Sequence, residues 1–541
     1  MKQKTVFIHS AFGLWPMLEY ELDIAQRELL SGNRVVFSYC RGSQVSCEVN
    51  NSGLNGKIKS RYCKECQSRV RAGLRWLDSK NGALEIVEYE CLTMAQQLSI
   101  ATILQDLEVA SKDENSIKSL VNLQGVDIFE SALSTVMSNL RLSQLKPDDY
   151  FKYLKNDISI ALRSYYSALN HLTSKLPDRV YIFNARISRY RPLLRLAQKS
   201  SIDILVHEYP SYGFMDYIVT HGTYSHDRKA FSRQLYKTFE EYPLSTQDKM
   251  DIGESWFKNR ANRLINGMEP IFVKNQELEK LPDDWSNKNF NVVFYVSSED
   301  EIAGVKEVIE GRPCDQIEAI KYVVNAIPEL MMYVRIHPNM ANSDAEFNNA
   351  LLELNVMEKV KVIEAESKID SYSIMRAADL VISAGSTAGI EAAFLGKPVI
   401  TVGTSQYEAF CATVKAKTIR ELIDLVKDAV RKDFSKFPLQ IQRKDGASAY
   451  AFSIQHVGVK PIFLMPDNIK EGFYVWMLMF RDGVITEIRA LWIFVLYNRL
   501  IDGWKPIVNG LLNLISDNKK RSKFLHSPLV SIRTRIFSRL P

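Results

Sequence analysis

Two polar segments at the ends of apolar, strand-like runs carry residue types that suit a phosphate. His337 follows the run MMYVRI, and the proline after it disfavours helix at the histidine, so we expect its ring to face a ligand. Further on, DLVISAGSTAG places Ser383, Gly385, Ser386 and Thr387 in a turn that enters a helix, whose free N–H groups bind anions without a metal. The imidazole would donate to the phosphate, and it would either protonate the leaving group or neutralise the charge that develops on the phosphate as the bond breaks. A structural histidine and an ordinary helix cap are the alternatives.

Four further residues are candidates for contacts in the same site. Ser297 and Ser298 end the run NVVFYV, where their hydroxyls would reach a nucleotide from the opposite side, although the acidic residues after them also fit a plain helix start. Arg335 precedes His337 by two positions on one strand, so both side chains are expected to face one way. An ion pair at the edge of the core is the alternative for this arginine. Glu391 lies one helical turn into the helix after the serine-rich turn, within reach of a sugar hydroxyl.

The pattern of strands and helices predicts two α/β domains that hold these residues. TVFIHS, a helix and RVVFSYC form a βαβ unit over residues 5–40, and strand patterns return at RVYIFN and IDILVHEY after a helical insertion at about 92–176. From Asn291 onward strands alternate regularly with helices, which indicates a parallel sheet. Two such Rossmann-like domains facing a cleft form the GT-B architecture. The predicted bounds are 1–265 for the first domain, 266–440 for the second and 441–541 for a helical C-terminal extension.

A series of short motifs resembles a known family. The motifs are FNAR at 183–186, HEYP at 207–210, SHD at 225–227, SSEDE at 297–301, RIHPN at 335–339 and SAGSTAGIEAA at 383–393. In this order they resemble the capsule polysaccharide biosynthesis family of bacterial GT-B proteins. The HP and serine-rich motifs are also similar to those of GT-B sialyltransferases and Kdo transferases, which use CMP-activated sugars. The resemblance covers most of residues 1–410 and implies the same role for His337. It also implies that Glu364, after VKVI, binds a ribose; a solvated strand end is the alternative.

An inverting transfer needs a base for the acceptor hydroxyl on the other wall of the cleft, which the first domain must supply. Glu208, after the run IDILVH, is the first candidate. The alternative bases are Asp216, Glu19 and Glu21. Asn184 and Arg186, after RVYIF, are expected to orient the acceptor or its carboxylate.

Two groups of residues raise the question of a metal. The first group is Cys40, Cys47, Cys63 and Cys66. Four thiolates with a CKEC pair could close a structural zinc site, although the first two are spaced too widely for the usual pattern, and free thiols in a reducing cytosol are the alternative. His221, His226 and Asp227 fit no zinc helix pattern, and the chain has no DxD motif, which disfavours a metal-dependent GT-A mechanism. We therefore expect no cofactor, with a structural zinc at the cysteines left open.

The composition indicates globular domains and argues against nucleic acid as a partner. The chain has 541 residues, of which 46% are hydrophobic and 24% charged, with a formal net charge of +6. Basic residues are concentrated after Asp517, where no acidic residue occurs. They are Lys519, Lys520, Arg521, Lys523, Arg533, Arg535 and Arg539. Without this tail the chain is nearly neutral, so no basic surface for nucleic acid is predicted.

The C-terminal region also carries apolar sequence. From Phe473 to Ile515, aromatic-rich runs are interrupted by charges, and no run reaches 18 uncharged apolar residues, so we expect no membrane span. Apolar runs followed by a basic tail suit the surface of an anionic membrane, and a helical cap packed on the domains is the alternative. Lys2 and Lys4 before an apolar run faintly resemble a signal peptide, but His9 interrupts the run and no cleavage site of small residues follows. We therefore expect a cytoplasmic protein, peripheral at the inner face of the cell membrane.

Together these observations favour a metal-independent GT-B glycosyltransferase in capsule or lipopolysaccharide assembly. It would take a nucleotide-sugar donor, with CMP-Kdo as the leading candidate, and a glycan or glycolipid acceptor. A UDP-sugar 2-epimerase is a second enzymatic hypothesis, because it shares the two domains and the phosphate site. A non-catalytic scaffold at the membrane is the hypothesis from a different class.

Overall fold

Two six-stranded sheets, each with helices on its faces, make up the architecture. The computed structural model describes residues 2–13, 16–43, 47, 60–77, 82–209, 216–264, 273–299, 302, 304, 305, 311–341 and 345–462. The predicted membrane-associating segment from Phe473 to Ile515 and the basic tail lie outside the described residues. Within the described residues, no helix is both long enough and apolar enough to cross a membrane.

The first sheet has the strand order β3-β2-β1-β4-β5-β6. Its strands are β1 (Thr5–Ser10), β2 (Arg34–Tyr39), β3 (Leu84–Glu88), β4 (Arg179–Phe183), β5 (Asp203–Glu208) and β6 (Ile218–His221). All neighbours pair in parallel except β6, which runs antiparallel to β5. Both faces of β1 are covered, so Val6, Phe7 and Ile8 are all fully buried. The order reverses between β1 and β4, which opens a crevice at their carboxyl ends.

Within the described ranges seven helices accompany this sheet, four of them in the predicted insertion. The flanking helices are α1 (Met17–Leu30), α2 (Ser60–Trp76) and α7 (Arg191–Lys199); the insertion comprises α3 (Met94–Val109), α4 (Glu114–Leu120), α5 (Ile128–Leu140) and α6 (Phe151–Lys175). Thr93 and Gln96 form a capping box that starts α3. The insertion shares one hydrophobic core with β1 and β4, through residues such as Ile158 and Leu162. It is therefore an integral part of the first domain.

The second sheet repeats the same strand order, β12-β11-β10-β7-β8-β9, but its strands are parallel throughout. Its strands are β7 (Phe290–Tyr295), β8 (Leu330–Arg335), β9 (Val360–Ile363), β10 (Leu380–Ser383), β11 (Val399–Val402) and β12 (Val414–Ala416). Its helices are α10 (Gln316–Ala326), α11 (Ala345–Leu352), α12 (Ser371–Ala377), α13 (Thr387–Phe394) and α14 (Ile419–Val430). The two predicted α/β sheets are thus confirmed, and the second has its crevice between β7 and β10.

Three helices pack on the second sheet although two of them precede it in the chain. They are α8 (Arg228–Glu241), α9 (Thr246–Ala261) and α15 (Gln440–His456). Trp256 and Phe257 of α9 lie in one core with Tyr450 of α15. A Cβ on Gly253 would lie 2.0 Å from the Ser448 carbonyl oxygen, so α9 and α15 pack with their backbones in contact. The second core therefore extends beyond the predicted bounds of 266–440 in both directions.

The chain crosses between the domains at two adjacent places. It leaves the first domain after β6 to start α8, and after α15 it returns beside β6. There the Tyr217 N–H donates to the Val459 carbonyl at 3.0 Å and the Val459 N–H donates back at 2.7 Å. The Ile462 N–H then donates to Asp23 Oδ1 of α1 at 2.7 Å. These contacts attach the end of the described chain to the first domain.

A third contact between the domains follows β7. Ile302 and Val305 are buried in the core of the first domain, and Arg191 Nη1 of α7 donates to the Gly304 carbonyl at 2.8 Å. Arg191 is fully buried and also pairs with Asp127 at 2.7 Å. Ile302, Gly304 and Val305 are thus held by the first domain.

Candidate functional site

A cavity of about 520 Å³ lies between the two domains, where the strand order of each sheet reverses. Its lining includes Gly385 and the polar residues Asn184, Glu208, Tyr209, Ser225, His226, Arg228, Ser297, Ser298, His337, Asn339, Ser386, Thr387 and Gln406. The carboxyl ends of β4 and β5 contribute to one side, and those of β7, β8 and β10 to the other. We call the first side, with Asn184, Glu208 and His226, the carboxylate wall. We call the second side, from Ser297 to Thr387, the serine wall.

The turn after β10 forms the centre of the serine wall. Ser386 Oγ accepts from the Ala388 N–H at 3.3 Å and caps α13, while Ser383 Oγ donates to the Ser386 carbonyl at 3.1 Å from beneath the turn. Gly385 has a φ of +84°, and a Cβ there would lie 2.2 Å from Arg228 Nη1. The position therefore requires glycine for conformation and for space. Ser386 and Thr387 line the cavity at the start of the helix, a position suited to an anion.

Arg228 supplies a cation to the serine wall. It is the first residue of α8, it lines the cavity, and its Nη1 donates to the Thr404 carbonyl at 3.2 Å. Sequence reasoning missed this residue, because an arginine in the first turn of a polar helix resembles any solvated charge. The motif SHDR contains its only local signal, the cap formed by Asp227. Its position beside Gly385 depends on the chain crossing after β6.

Ser297 connects two loops of the serine wall. Its Oγ donates to the Ala384 carbonyl at 3.0 Å, and its N–H donates to Gln316 Oε1 at 2.8 Å. Ser298 lines the cavity next to it. Glu299 is held by Arg312 at 2.7 Å and thus belongs to the supporting structure.

His337 lines the cavity with a defined tautomer. Its Nδ1 accepts from the Asn339 N–H at 3.1 Å, so the neutral ring carries its proton on Nε2. Burial lowers the pKa of His337 to about 4; Glu391 opposes this shift, while Arg335 and Arg260 add to it. The ring is therefore neutral near pH 7 and acts as a hydrogen-bond donor through Nε2. This differs from a protonated acid, the other role considered for this histidine.

Arg335 and Glu364 do not line the cavity. Arg335 is 1% exposed, and its guanidinium donates to Ser371 Oγ at 3.2 Å and to the carbonyls of Ile363 and Glu364. The expectation that it faces the same way as His337 assumed a continuous strand. In the structure β8 ends at Arg335, and His337 starts a short 3₁₀ turn, so the alternation of side chains no longer applies. The Glu364 side chain is exposed.

Glu391 also lies outside the cavity lining. It is 7% exposed, and its Oε1 accepts from Arg260 Nη2 of α9 at 2.9 Å. This ion pair ties α13 to α9 behind the serine wall. The negative charge of Glu391 still acts on the imidazole of His337.

Glu208 and Asn184 form the centre of the carboxylate wall. Glu208 Oε2 accepts from Asn184 Nδ2 at 2.5 Å and from Ser225 Oγ at 3.1 Å, and Oε1 accepts from the Tyr209 N–H at 2.9 Å. Burial raises the pKa of Glu208, and these hydrogen bonds and Arg186 partly offset that rise. Asn184 has a φ of +56°, a left-handed conformation that asparagine tolerates better than most residues.

Arg186 lies behind this wall and not in the cavity lining. It is 5% exposed, its N–H donates to Asn184 Oδ1 at 3.1 Å and its Nη2 donates to Ser138 Oγ at 3.1 Å. It thus supports Asn184, and its charge acts on Glu208 and His226.

His226 is a lining residue that the sequence suggested only as a weak metal ligand. Its Nδ1 lies 3.0 Å from Ser225 Oγ, and burial, with the charges of Arg186 and Arg228, lowers its pKa to about 3. Asp227 caps α8 by accepting from the Ala230 N–H at 2.9 Å, and His221 is exposed at the end of β6. Across the described residues, no group of three or more His, Cys, Asp or Glu side chains is arranged to hold a metal ion.

The alternative bases lie outside the cavity lining. Glu19 pairs with Arg69 at 2.5 Å, and burial raises its pKa to about 7. Glu21 is buried, with one carboxylate oxygen 3.7 Å from His207 Nε2. Burial also raises the pKa of Asp216. Glu208 is therefore the carboxylate that reaches the cavity among the four candidates.

The four clustered cysteines lie around the start of α2, all as free thiols. Cys66 Sγ accepts from the Gly13 N–H at 3.0 Å, and Cys40 Sγ accepts from the Gly42 N–H at 3.3 Å. Burial raises the pKa of Cys66 to about 11. A structural zinc at these thiols stays a prediction.

Comparisons with known proteins find one family model and distant solved structures that match this chain. A family model described as a protein of unknown function (DUF354) matches residues 348–411, a small part of the chain. No curated protein matches.

Among solved structures, the chain is similar to KpsC of Thermosulfurimonas dismutans, a beta Kdo 2,4 transferase, at 16% identity and a TM-score of 0.32, over 45% of this chain and 77% of that one. It is also similar to the UDP-GlcNAc 2-epimerase of Neisseria meningitidis bound to UDP-GlcNAc, at 11% identity and a TM-score of 0.24, over 82% and 97% of the two chains. Likenesses this distant carry no argument about activity.

Proposed function

We propose that this chain is a GT-B glycosyltransferase that moves a sugar from a nucleotide-activated donor to a glycan or glycolipid acceptor. The observation that supports the proposal is the cavity itself. Its serine wall offers hydroxyls, a helix start, the Arg228 guanidinium and the Nε2–H of His337, while its carboxylate wall offers the buried Glu208. The serine wall thus offers hydrogen-bond donors, and the carboxylate wall on the other side of the cavity offers a group that can accept a proton.

Each wall suits one half of a sugar transfer. As the bond between the anomeric carbon and the phosphate breaks, charge grows on the phosphate, and Arg228, Ser386 and His337 would stabilise it. The acceptor hydroxyl would lie against Asn184 and Glu208, where its proton is removed. Because the phosphate ligands in this proposal are neutral donors and a guanidinium, the reaction needs no metal.

The finer assignment remains part of the proposal. CMP-Kdo is the leading donor, capsule or lipopolysaccharide assembly is the setting, and the basic C-terminal region would hold the protein at the inner face of the cell membrane. These points derive from the motif resemblance and from the sequence after Phe473.

A donor panel tests the proposal directly. Purified full-length protein is titrated calorimetrically with CMP, UDP and GDP, and then incubated with CMP-, UDP- and GDP-sugars while nucleotide release is followed. We expect one nucleotide to bind and its sugar donor to be consumed. Binding of none would contradict the proposal, and formation of an epimer from the donor alone would indicate the UDP-sugar 2-epimerase instead. A variant that lacks residues 471–541 should keep turnover in solution if the chain is an enzyme and not a scaffold.

A further inference from the structure

His226 is a histidine of the cavity to which the proposed reaction assigns no task. It lines the carboxylate wall at the start of α8, directly after Ser225 and two residues before Arg228. Among the described residues, its Nδ1 interacts with Ser225 Oγ at 3.0 Å and its Nε2 makes no hydrogen bond. The question is which of the two ring nitrogens carries the proton.

The hydrogen bonds around Ser225 answer this question. Ser225 Oγ lies 3.1 Å from Glu208 Oε2 and 3.3 Å from the Asn184 carbonyl oxygen. The carbonyl oxygen can only accept a hydrogen bond, and the same holds for Oε2 when Glu208 is ionised. The single hydroxyl proton must therefore point at an oxygen. The contact with His226 is then satisfied when Nδ1–H donates to Ser225 Oγ, which leaves a lone pair on Nε2.

We propose that His226 is a catalytic residue, whose Nε2 takes the proton of the acceptor hydroxyl, and that Glu208 acts through Ser225 as a positioning residue. This inference rests on the proposed glycosyl transfer and replaces Glu208 as the direct base. Three hydrogen bonds already occupy the carboxylate of Glu208. In the series of hydrogen bonds from Glu208 through Ser225 to His226, the imidazole Nε2 is the atom left to accept a proton.

The step balances in atoms and charge. The acceptor oxygen forms a bond to the anomeric carbon as its proton moves to His226 Nε2. The bond from the anomeric carbon to the donor phosphate breaks, and its electron pair leaves on that phosphate beside Arg228 and the Nε2–H of His337. The imidazolium that forms on His226 donates from Nδ1 to Ser225 Oγ, whose hydroxyl donates to Glu208 Oε2, and it later loses its proton to water.

The two neutral histidines thus have opposite tautomers. His337 receives a hydrogen bond at Nδ1 and presents Nε2–H, whereas His226 donates from Nδ1 and presents a bare Nε2. One ring is built to donate to a leaving group and the other to accept from a nucleophile.

Nitrogen NMR of the full-length protein with labelled histidine tests this assignment without any substrate. The signals are assigned by their loss in His226→Asn and in His337→Asn. We expect the shifts of a protonated Nδ1 in His226 and of a protonated Nε2 in His337. A protonated Nε2 in His226 would overturn the inference whatever the protein catalyses.

Turnover of the sugar donor with water as the acceptor gives the second test. In His226→Asn the amide retains a donor near Nδ1 but lacks Nε2, so we expect kcat to fall about 100-fold or more. Ser225→Ala should lower kcat by about tenfold, and neither change should alter the Kd for the nucleotide by more than about twofold. The exposed His221→Asn is the matched control, with unchanged turnover.

The outcomes separate the two levels of the hypothesis. Full turnover in a folded His226→Asn protein that still binds nucleotide would overturn the role of His226 and leave the glycosyltransferase intact. Failure of the wild-type protein to bind or consume any donor would instead refute the proposed function. His226→Gln is the second variant if His226→Asn does not fold.

Discussion

Gly385→Ala is the change that most directly probes the serine wall. The new Cβ would lie 2.2 Å from Arg228 Nη1 and 3.0 Å from the Thr404 carbonyl, at a φ of +84°. The left-handed backbone costs an L-residue about 1–2 kcal/mol of stability. The guanidinium is the end of a flexible side chain, so we expect it to move away from the turn. The chain would thereby lose its cation at the phosphate position.

The size of the effect on binding follows from that displacement. A hydrogen bond to a charged group contributes about 1.5–3 kcal/mol, which corresponds to a loss of about 10- to 150-fold in nucleotide affinity. Calorimetric titration with CMP, or with whichever of UDP and GDP the wild-type protein binds, measures this loss. Urea unfolding of the same samples measures separately the loss of stability that the left-handed backbone causes.

Gly32 provides a matched control for the stability cost of an alanine in the left-handed conformation. It has a φ of +81°, and a Cβ there would meet no atom within 4 Å. Gly32→Ala should therefore lose similar stability but keep full affinity. Arg228→Ala should lose affinity as Gly385→Ala does, and the double variant little more, because both act on the same guanidinium. Unchanged affinity in Gly385→Ala, or an equal loss in Gly32→Ala, would refute the reasoning.

Two further predictions concern individual side chains. His337→Ala removes a donor to the leaving phosphate, so kcat should fall about 100-fold or more in steady-state assays, and unchanged turnover would contradict the role given to Nε2–H. Glu19→Gln addresses a carboxyl whose pKa is raised by burial to about 7. Since the folded state of the natural protein binds the extra proton, its free energy of unfolding should fall as pH rises from about 4.5 to 7, and the variant should lack much of this slope in urea titrations at pH 5 and 7.5.

Much of the site was predictable because the carboxyl ends of parallel strands lie at the same edge of a sheet. Ser297, Ser386 and Glu208 follow apolar runs of recognisable length, and the structure brings them to one cavity. Arg335 was placed incorrectly in space because the alternation along β8 stops at its last residue. The cap formed by Asp227 marks Arg228 as the start of a helix, but its contact with the turn at Gly385 depends on residues far away in the sequence.

The domain bounds show the same limit. Chain order assigned α8 and α9 to the first domain, whereas burial assigns them to the second core with α15. The apolar faces of these helices are visible in the sequence. Which sheet they cover is decided by the crossing after β6, and amphipathic periodicity carries no information about that choice.

The paired crossings beside Tyr217 and Val459 have a mechanical consequence. Two connections at adjacent points form a hinge, which permits the domains to rotate about one axis and resists sliding and twisting. Ile302 and Val305 oppose this rotation, because withdrawing both side chains from the core of the first domain would cost about 3–6 kcal/mol. A rotation that widens the cavity therefore has a preferred axis and a free-energy threshold.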